Sequence, residues 1–230
     1  VLVSGCATPR QVKKLEDEIT ALKGKLQASE THKQEEINRL KESRDSEIAR
    51  LKERYDSQLN RLELEKRREL DRIKAAKDEL TKALQEELSE YKAKLQMTER
   101  GLVITFLAEV FFDSGKEVIK KEAFPTLDKV VRVLNEKVPD SPVAIEGHTD
   151  NEPIKYSGWK SNWELSCHRA LAVLHYFTDN GNIKPERLSA NGYGEYRPVA
   201  VNDIEENRQQ NRRVEIVIMP AQVAKKKAEY

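Results

Sequence analysis

Residues 162–181 read NWELSCHRALAVLHYFTDNG, and the fold of the C-terminal half turns on them. Leu165, Ala172, Val173, Tyr176 and Phe177 recur along one side at helical spacing, and Gly181 stands where a helix stops. An amphipathic helix is therefore expected from Asn162 to Asn180. Working outward, Val143 to Glu146 reads as a short strand after Pro142, and Leu188 to Tyr193 and Arg213 to Met219 as two more. Upstream, Lys121 to Lys137 carries Phe124, Leu127, Val130, Val131 and Leu134 as a helical stripe. Pro125 is compatible with the first turn of that helix only. Leu102 to Phe112 (LVITFLAEVFF) is apolar, β-branched and aromatic, which suits a strand. Strands alternating with helices imply a mixed sheet with helices packed on one face, a two-layer sandwich.

The N-terminal half is built differently. The chain of 230 residues is 38% hydrophobic and 35% charged, whereas ordinary globular domains carry about 25% charged residues. The surplus lies between Gln11 and Arg100, a stretch with no Pro and with Gly24 as its single Gly. Residues 35–45 read EEINRLKESRD, and the pattern returns at 46–56, 57–67 and 68–78, with a weaker copy at 79–89. The period is eleven. One apolar column runs Leu15, Leu26, Ile37, Ile48, Leu59, Leu70; a second runs Leu40, Leu51, Leu62, Ile73, Leu84, Leu95. Eleven residues in three turns keep both columns on one nearly straight helical stripe with a slight right-handed drift. A helical rod is expected over 11–100, roughly 130 Å long at 1.5 Å per residue. A stripe this regular favours self-association, hence a homo-oligomer through a coiled coil. The third seam position is poor (Arg44, Tyr55, Lys66, Lys77), so a lone helix held by charge pairs is the alternative.

The expected class is thus α+β: a short segment at 1–10, a coiled-coil rod of 11-residue repeats at 11–100, a two-layer α/β sandwich at 101–220 and a basic tail at 221–230. A formal net charge of +1 gives no reason to expect nucleic acid as a partner. No run of roughly 20 apolar residues, the length needed to span a bilayer, is present.

Three motifs stand in order in the second half: Gly147-His148-Thr149-Asp150, then Ser161-Asn162-Trp163-Glu164-Leu165-Ser166 with Arg169-Ala170, then Asn211-Arg212-Arg213-Val214-Glu215-Ile216. The set resembles the OmpA-like peptidoglycan-binding domain shared by outer-membrane protein A, the peptidoglycan-associated lipoprotein and the flagellar stator B subunit. The resemblance covers Gly101 to Met219, about half the chain, and implies the same two-layer fold. It also implies a ligand: the side chain of diaminopimelate in a peptidoglycan stem peptide, which ends in an ammonium and a carboxylate on one carbon. In the family the Asp of the Thr-Asp turn and the Arg of the Leu-Ser-x-x-Arg-Ala helix grip it. Those roles fall here to Asp150 and Arg169. A guanidinium fork matches a carboxylate in bidentate fashion, and Arg169 is expected to face ligand rather than core. A plain structural salt bridge between strand end and helix is the alternative. Asn162 is expected to cap its helix or hold peptide backbone, Leu165 and Ser166 to wall the pocket, and Arg212 to lie beside it. By alternation, one of Arg212 and Arg213 points coreward.

The loop between Asp150 and Arg169 is similar to the stator B version of the family. A stator subunit needs a membrane-spanning helix, and that reading is disfavoured by the charged rod found in its place. Cys6 follows Val1-Leu2-Val3-Ser4-Gly5, which resembles the lipobox of bacterial lipoproteins, where the Cys carries the lipid. Ala7 after it favours the outer membrane, with the protein facing the periplasm. Metal and catalysis are not expected. His148, Asp150, Cys167, His168 and His175 match no metal-ligand spacing, and Ser166 sits within a helix without a nucleophile elbow. The expectation is a lipid-anchored tether to peptidoglycan that uses no cofactor. A coiled-coil scaffold of a larger envelope complex is the alternative.

Overall fold

The computed structural model describes residues 9–90, 92–155 and 158–221. Cys6, the expected lipidation position, lies outside them, as does the tail beyond Ala221. The chain divides into two compact units, one ending at Glu63 and one beginning at Leu64.

Helix α1 runs Pro9–Ala83 without interruption. Within the first unit it is a solvated helix, and its stripe residues Ile37, Leu40, Ile48, Leu51, Leu59 and Leu62 are all exposed. In the second unit the same stripe becomes core. Ile73, Ala76 and Leu80, followed by Leu84, are fully buried in the main apolar cluster. Glu69, one turn earlier, accepts hydrogen bonds from Ser141 Oγ at 3.2 Å and the Ala221 backbone N–H at 3.1 Å.

The rod therefore ends before Arg100. After a turn at Leu84 and the short α2 (Gln85–Ser89), the chain extends into β1 (Ala93–Thr98) and folds back as β2 (Gly101–Leu107). Leu95 does not continue a helical seam. It sits opposite Ile104 in an antiparallel pair, and it packs against the main cluster with Ala93, two residues before it. The eleven-residue column reaches Leu95 at a point where alternation takes over. The expected strand at Leu102 to Phe112 is also shorter. It stops at Leu107 and becomes one helical turn, α3 (Ala108–Phe111), because Phe111 folds back onto Phe106 with ring centroids 4.8 Å apart. An unbroken apolar run does not distinguish these two states.

The remaining elements are α4 (Phe124–Glu136), β3 (Val143–His148), α5 (Asn162–Asp179), β4 (Leu188–Gly192), α6 (Glu205–Asn211) and β5 (Arg213–Ile218). The five strands lie in the order β1-β2-β5-β3-β4. Only β3 and β4 are parallel, joined through the α5 crossover. Leu102, Ile104 and Phe106 of β2, Val143 and Ile145 of β3, and Val214, Ile216 and Ile218 of β5 meet the helices in one core. This is the expected two-layer architecture. The opposite face of the sheet carries the small cluster Val103, Ala144 and Val217, with Met219 packed against it.

Candidate ligand-binding site

The strand ends of β3 and β5 and the first turns of α5 converge because two glycines let the helix sit directly on the sheet. A Cβ at Gly147 would lie 2.1 Å from the Ser166 carbonyl oxygen, and one at Gly192 would lie 2.4 Å from the Cys167 backbone nitrogen. The Ser166 hydroxyl, fully buried, uses this closeness to accept the Gly194 N–H at 2.9 Å. The next loop is tied to β3 as well, by Tyr193 N–H to the Gly147 carbonyl and Thr149 N–H to the Gly194 carbonyl, both 2.9 Å.

Asp150 emerges from β3 into this junction and is 5% exposed. It is already paired: Arg212 Nη1 donates to its Oδ2 at 2.6 Å, and the Glu152 N–H donates to its Oδ1 at 3.1 Å. An ionised carboxylate has about four acceptor positions, so room remains for a further donor. Arg212 reaches Glu205 through its other nitrogen. Burial opposes the Arg212 charge, but the hydrogen bonds to Asp150 and Glu205 outweigh it and hold its pKa above the usual arginine value.

Arg169 is equally buried, at 5% exposed. Its Nε donates to the Lys116 carbonyl at 2.9 Å, its Nη2 to the Asp113 carbonyl at 3.2 Å, and its guanidinium lies 5.2 Å from the Phe112 ring centroid. The sequence reading has it face ligand rather than core; the structure buries it and has it hold the 113–116 loop. Among the described residues its Nη1 makes no hydrogen bond, which leaves that edge of the fork for an anion. Burial pulls its pKa down to about 10, opposed by the nearby charge of Asp150 and assisted by that of Arg212. It stays cationic at neutral pH. Asp150 and Arg169 are thus close enough to feel each other's charge without forming an ion pair.

Asn162 does not cap α5. Ser161 does, its hydroxyl accepting the Glu164 N–H. The Asn162 amide instead donates to the Asp150 carbonyl (3.3 Å), the Glu152 carbonyl (3.0 Å) and Glu195 Oε2 (2.9 Å). Leu165 is buried one turn before Arg169. Neither Arg212 nor Arg213 points into the core. Arg213 lies on the opposite sheet face, bonded to Glu215 at 2.7 Å, and Arg212 precedes the strand. The sequence does not single out Glu152, Glu195 or Glu205; the first two sit in loops and Glu205 opens the short α6, with no periodicity to place them.

Behind the site, Glu146, His148 and Glu215 bring three potential metal-ligand atoms within 4.8 Å of one another. Arg100 spans both carboxylates, at 2.7 Å to Glu146 and 3.0 Å to Glu215, and Arg213 takes the remaining Glu215 oxygen. Two guanidinium groups therefore balance the two carboxylates, and a divalent cation would have to displace them. Both ring nitrogens of His148 lack a partner among the described residues. Burial first, then the Arg213 charge, pull its pKa down to about 3, so the ring is neutral. His148 and Arg213 are register partners, and this network fixes the strand ends from which Asp150 and Arg212 emerge.

A family profile described as the OmpA family matches residues 111–212. Motility protein B of Bacillus subtilis is 41% identical over 144 residues, 63% of this chain and 55% of that protein. Outer membrane protein Omp38 of Acinetobacter baumannii is 37% identical over 123 residues, 50% of this chain and 33% of that protein. The chain thus spans little more than half of one of these relatives and a third of the other. Among solved structures, a MotB-like protein from Desulfovibrio vulgaris superposes with a TM-score of 0.61 at 28% identity, covering 67% of this chain and 94% of that one. The cell wall anchor of the T6SS from Pseudomonas aeruginosa superposes at 0.56 and 28% identity, covering 61% and 96%.

Proposed function

Residues 111–212 are an OmpA-family domain, and from that premise we propose that this protein binds peptidoglycan non-covalently through the diaminopimelate of its stem peptides. The observation that carries the reading is the closeness of Asp150 to Arg169, each within the other's electrostatic reach. One acid retains acceptor capacity, one guanidinium retains a donor edge, and the two are adjacent without neutralising each other. The ammonium of the ligand would join Arg212 on the Asp150 carboxylate, and its carboxylate would meet the Arg169 fork. Burial of both side chains strengthens each contact. The likeness to a cell wall anchor structure supports the same reading. No bond is made or broken in it, so the protein acts as a tether and not as an enzyme.

The proposal extends to the whole chain. Cys6 carries a lipid that holds the protein in the outer membrane, facing the periplasm, and α1 is the spacer and the seam of a homo-oligomer. Alternatively, the chain serves as a scaffold of a larger envelope complex, or it is a stator-type subunit. The second is favoured by the 41% identity to Motility protein B. Among the described residues no helix is long and apolar enough to cross a membrane.

Titration of the full chain with tetrapeptide stems carrying diaminopimelate or lysine at the third position tests the site. Preference for diaminopimelate, lost in Asp150→Ala, is expected; equal binding of both peptides would refute the clamp. Fractionation of a Cys6→Ser variant tests the anchor, which an unchanged membrane fraction would remove.

A further inference from the structure

Trp163 and Tyr196 do nothing for the core. They are 46% and 63% exposed, and their rings stack with centroids 5.0 Å apart and an interplanar angle of 22°. Large aromatic surface left in water is costly unless something covers it. We infer that this pair is a stacking platform for a sugar ring of the glycan strand from which the bound stem peptide hangs. The inference rests on the proposed peptide site and extends it to the glycan.

Both rings stand on fixed supports. Trp163 lies in the first turn of α5, capped by Ser161. Tyr196 lies in the loop that is pinned by Gly194 to Ser166 and Thr149 and by Tyr193 to Gly147, and its own N–H bonds the Tyr193 carbonyl at 3.2 Å. A ligand would therefore meet rings that are already ordered, which lowers the entropic cost of binding. The exposed faces are electron-rich, and the C–H groups on one face of a pyranose are their complement. The equatorial hydroxyl and amide groups of the same sugar point sideways, off the ring faces.

The platform is also at the right place along the ligand. Asn162 joins the two sites: its amide touches the Asp150 carbonyl and Glu195 together, and Trp163 is the next residue. Diaminopimelate is the third residue of a stem peptide. The two residues between it and the sugar reach about 7 Å when extended, so the sugar must lie close to Asp150, and Trp163 directly follows the Asn162 that touches it. A flat patch for a protein partner would need far more area than one stacked pair.

The test uses the full chain and three probes in calorimetric titration: a diaminopimelate tetrapeptide stem, the same peptide on its N-acetylglucosaminyl-N-acetylmuramyl disaccharide, and the disaccharide alone. Wild type is expected to bind the disaccharide-peptide about tenfold more tightly than the bare peptide, the scale of one good aromatic contact. Trp163→Ala and Tyr196→Ala should erase that difference and leave bare-peptide affinity unchanged, since neither side chain is buried. Equal affinity for both peptides in wild type, or equal loss for both in the variants, overturns the platform while the peptide site stands. Bare peptide that fails to bind wild type, with Trp163-dependent binding of the disaccharide forms, overturns the diaminopimelate clamp and keeps the platform. Binding of none of the three removes both.

Discussion

Leu62 and Ile73 occupy the same column of the eleven-residue repeat, one period apart, and the structure gives them opposite energetic weight. Leu62 is 56% exposed on α1, whereas Ile73 is fully buried in the core of the second unit. Truncating a buried Ile to Ala costs about 2–5 kcal/mol from lost transfer energy and the cavity left behind. With no exposed surface at Ile73 and neighbours on helix and sheet, the upper half of that range is expected. Leu62→Ala removes side chain that water already covers, and should change domain stability by less than about 0.5 kcal/mol. Both Trp residues, 159 and 163, lie in the second unit, so tryptophan fluorescence during urea unfolding reports that unit alone. With a slope of about 2 kcal/mol per molar urea, Ile73→Ala should lower the midpoint by roughly 1.8–2.5 M and Leu62→Ala by about 0.2 M or less. Leu62→Ala should act instead on oligomer mass in sedimentation, where the proposed seam operates. Equal midpoint shifts for the two variants would refute the claim that α1 changes from solvated rod to core between them.

Three further outcomes follow from the site. Arg169→Ala should abolish stem-peptide binding and also destabilise the domain by about 1–3 kcal/mol in urea melts, because the Asp113 and Lys116 carbonyls lose a charged donor; unchanged stability would show that the 113–116 loop does not depend on it. His148 has a folded pKa near 3 against 6.5 for the free side chain, so the unfolded chain takes up a proton first and stability falls as pH drops from 6.5. Between pH 6.5 and 4.5 the loss should be about 2–3 kcal/mol and should vanish in His148→Asn; below 4.5 the depressed Glu215 carboxylate adds to it in both proteins. Gly147→Ala places a methyl 2.1 Å from the Ser166 carbonyl oxygen, backbone against backbone, and should cost at least about 3 kcal/mol; a thermal midpoint within 2 °C of wild type, which corresponds to about 1 kcal/mol or less, would contradict the packing of α5 on β3.

Much of the fold was legible because the core positions repeat. The α5 stripe uses one period, which the structure keeps, and β3, β4 and β5 fall on the three runs that read as strands. The boundary between rod and domain was hidden by a coincidence of periods. Leu40, Leu51, Leu62, Ile73, Leu84 and Leu95 read as one column, yet they pass from solvated helix through buried helix to strand. No Pro or Gly separates Lys25 from Arg100, so nothing local announces the change. Only the hairpin pairing of Leu95 with Ile104 does. The family match has the same blind side: its residues 111–212 omit β1, β2 and β5, although β2 and β5 are the centre of the sheet.

The site was legible in its identities and illegible in its pairings, and the pairings decide how it works. The motif assigns Asp150 to the ligand's ammonium, whereas Arg212 already bonds it at 2.6 Å. A half-satisfied carboxylate suits a reversible tether better than a free one would. Holding a carboxylate at 5% exposure without a cation would cost several kcal/mol, and the empty site would be unstable. With Arg212 in place the charge survives without ligand. The ammonium then shares an acid already compensated, and Glu205 stands ready to take the Arg212 charge if it is displaced. Arg169 follows the same logic from the other side, anchored by two backbone carbonyls so that one edge of its fork waits in fixed geometry. Binding energy in such a site comes from the last, unfilled valences of groups that the fold has already ordered. That predicts weak single contacts, made strong only when many sites act together. A homo-oligomeric rod would supply that multiplicity, since linked sites raise avidity by orders of magnitude without any new contact. Variants that break the α1 seam, such as Leu40→Lys with Leu51→Lys, should therefore release the protein from whole sacculi while leaving its affinity for a single stem peptide unchanged; retention on sacculi by a monomeric variant would show that one site suffices.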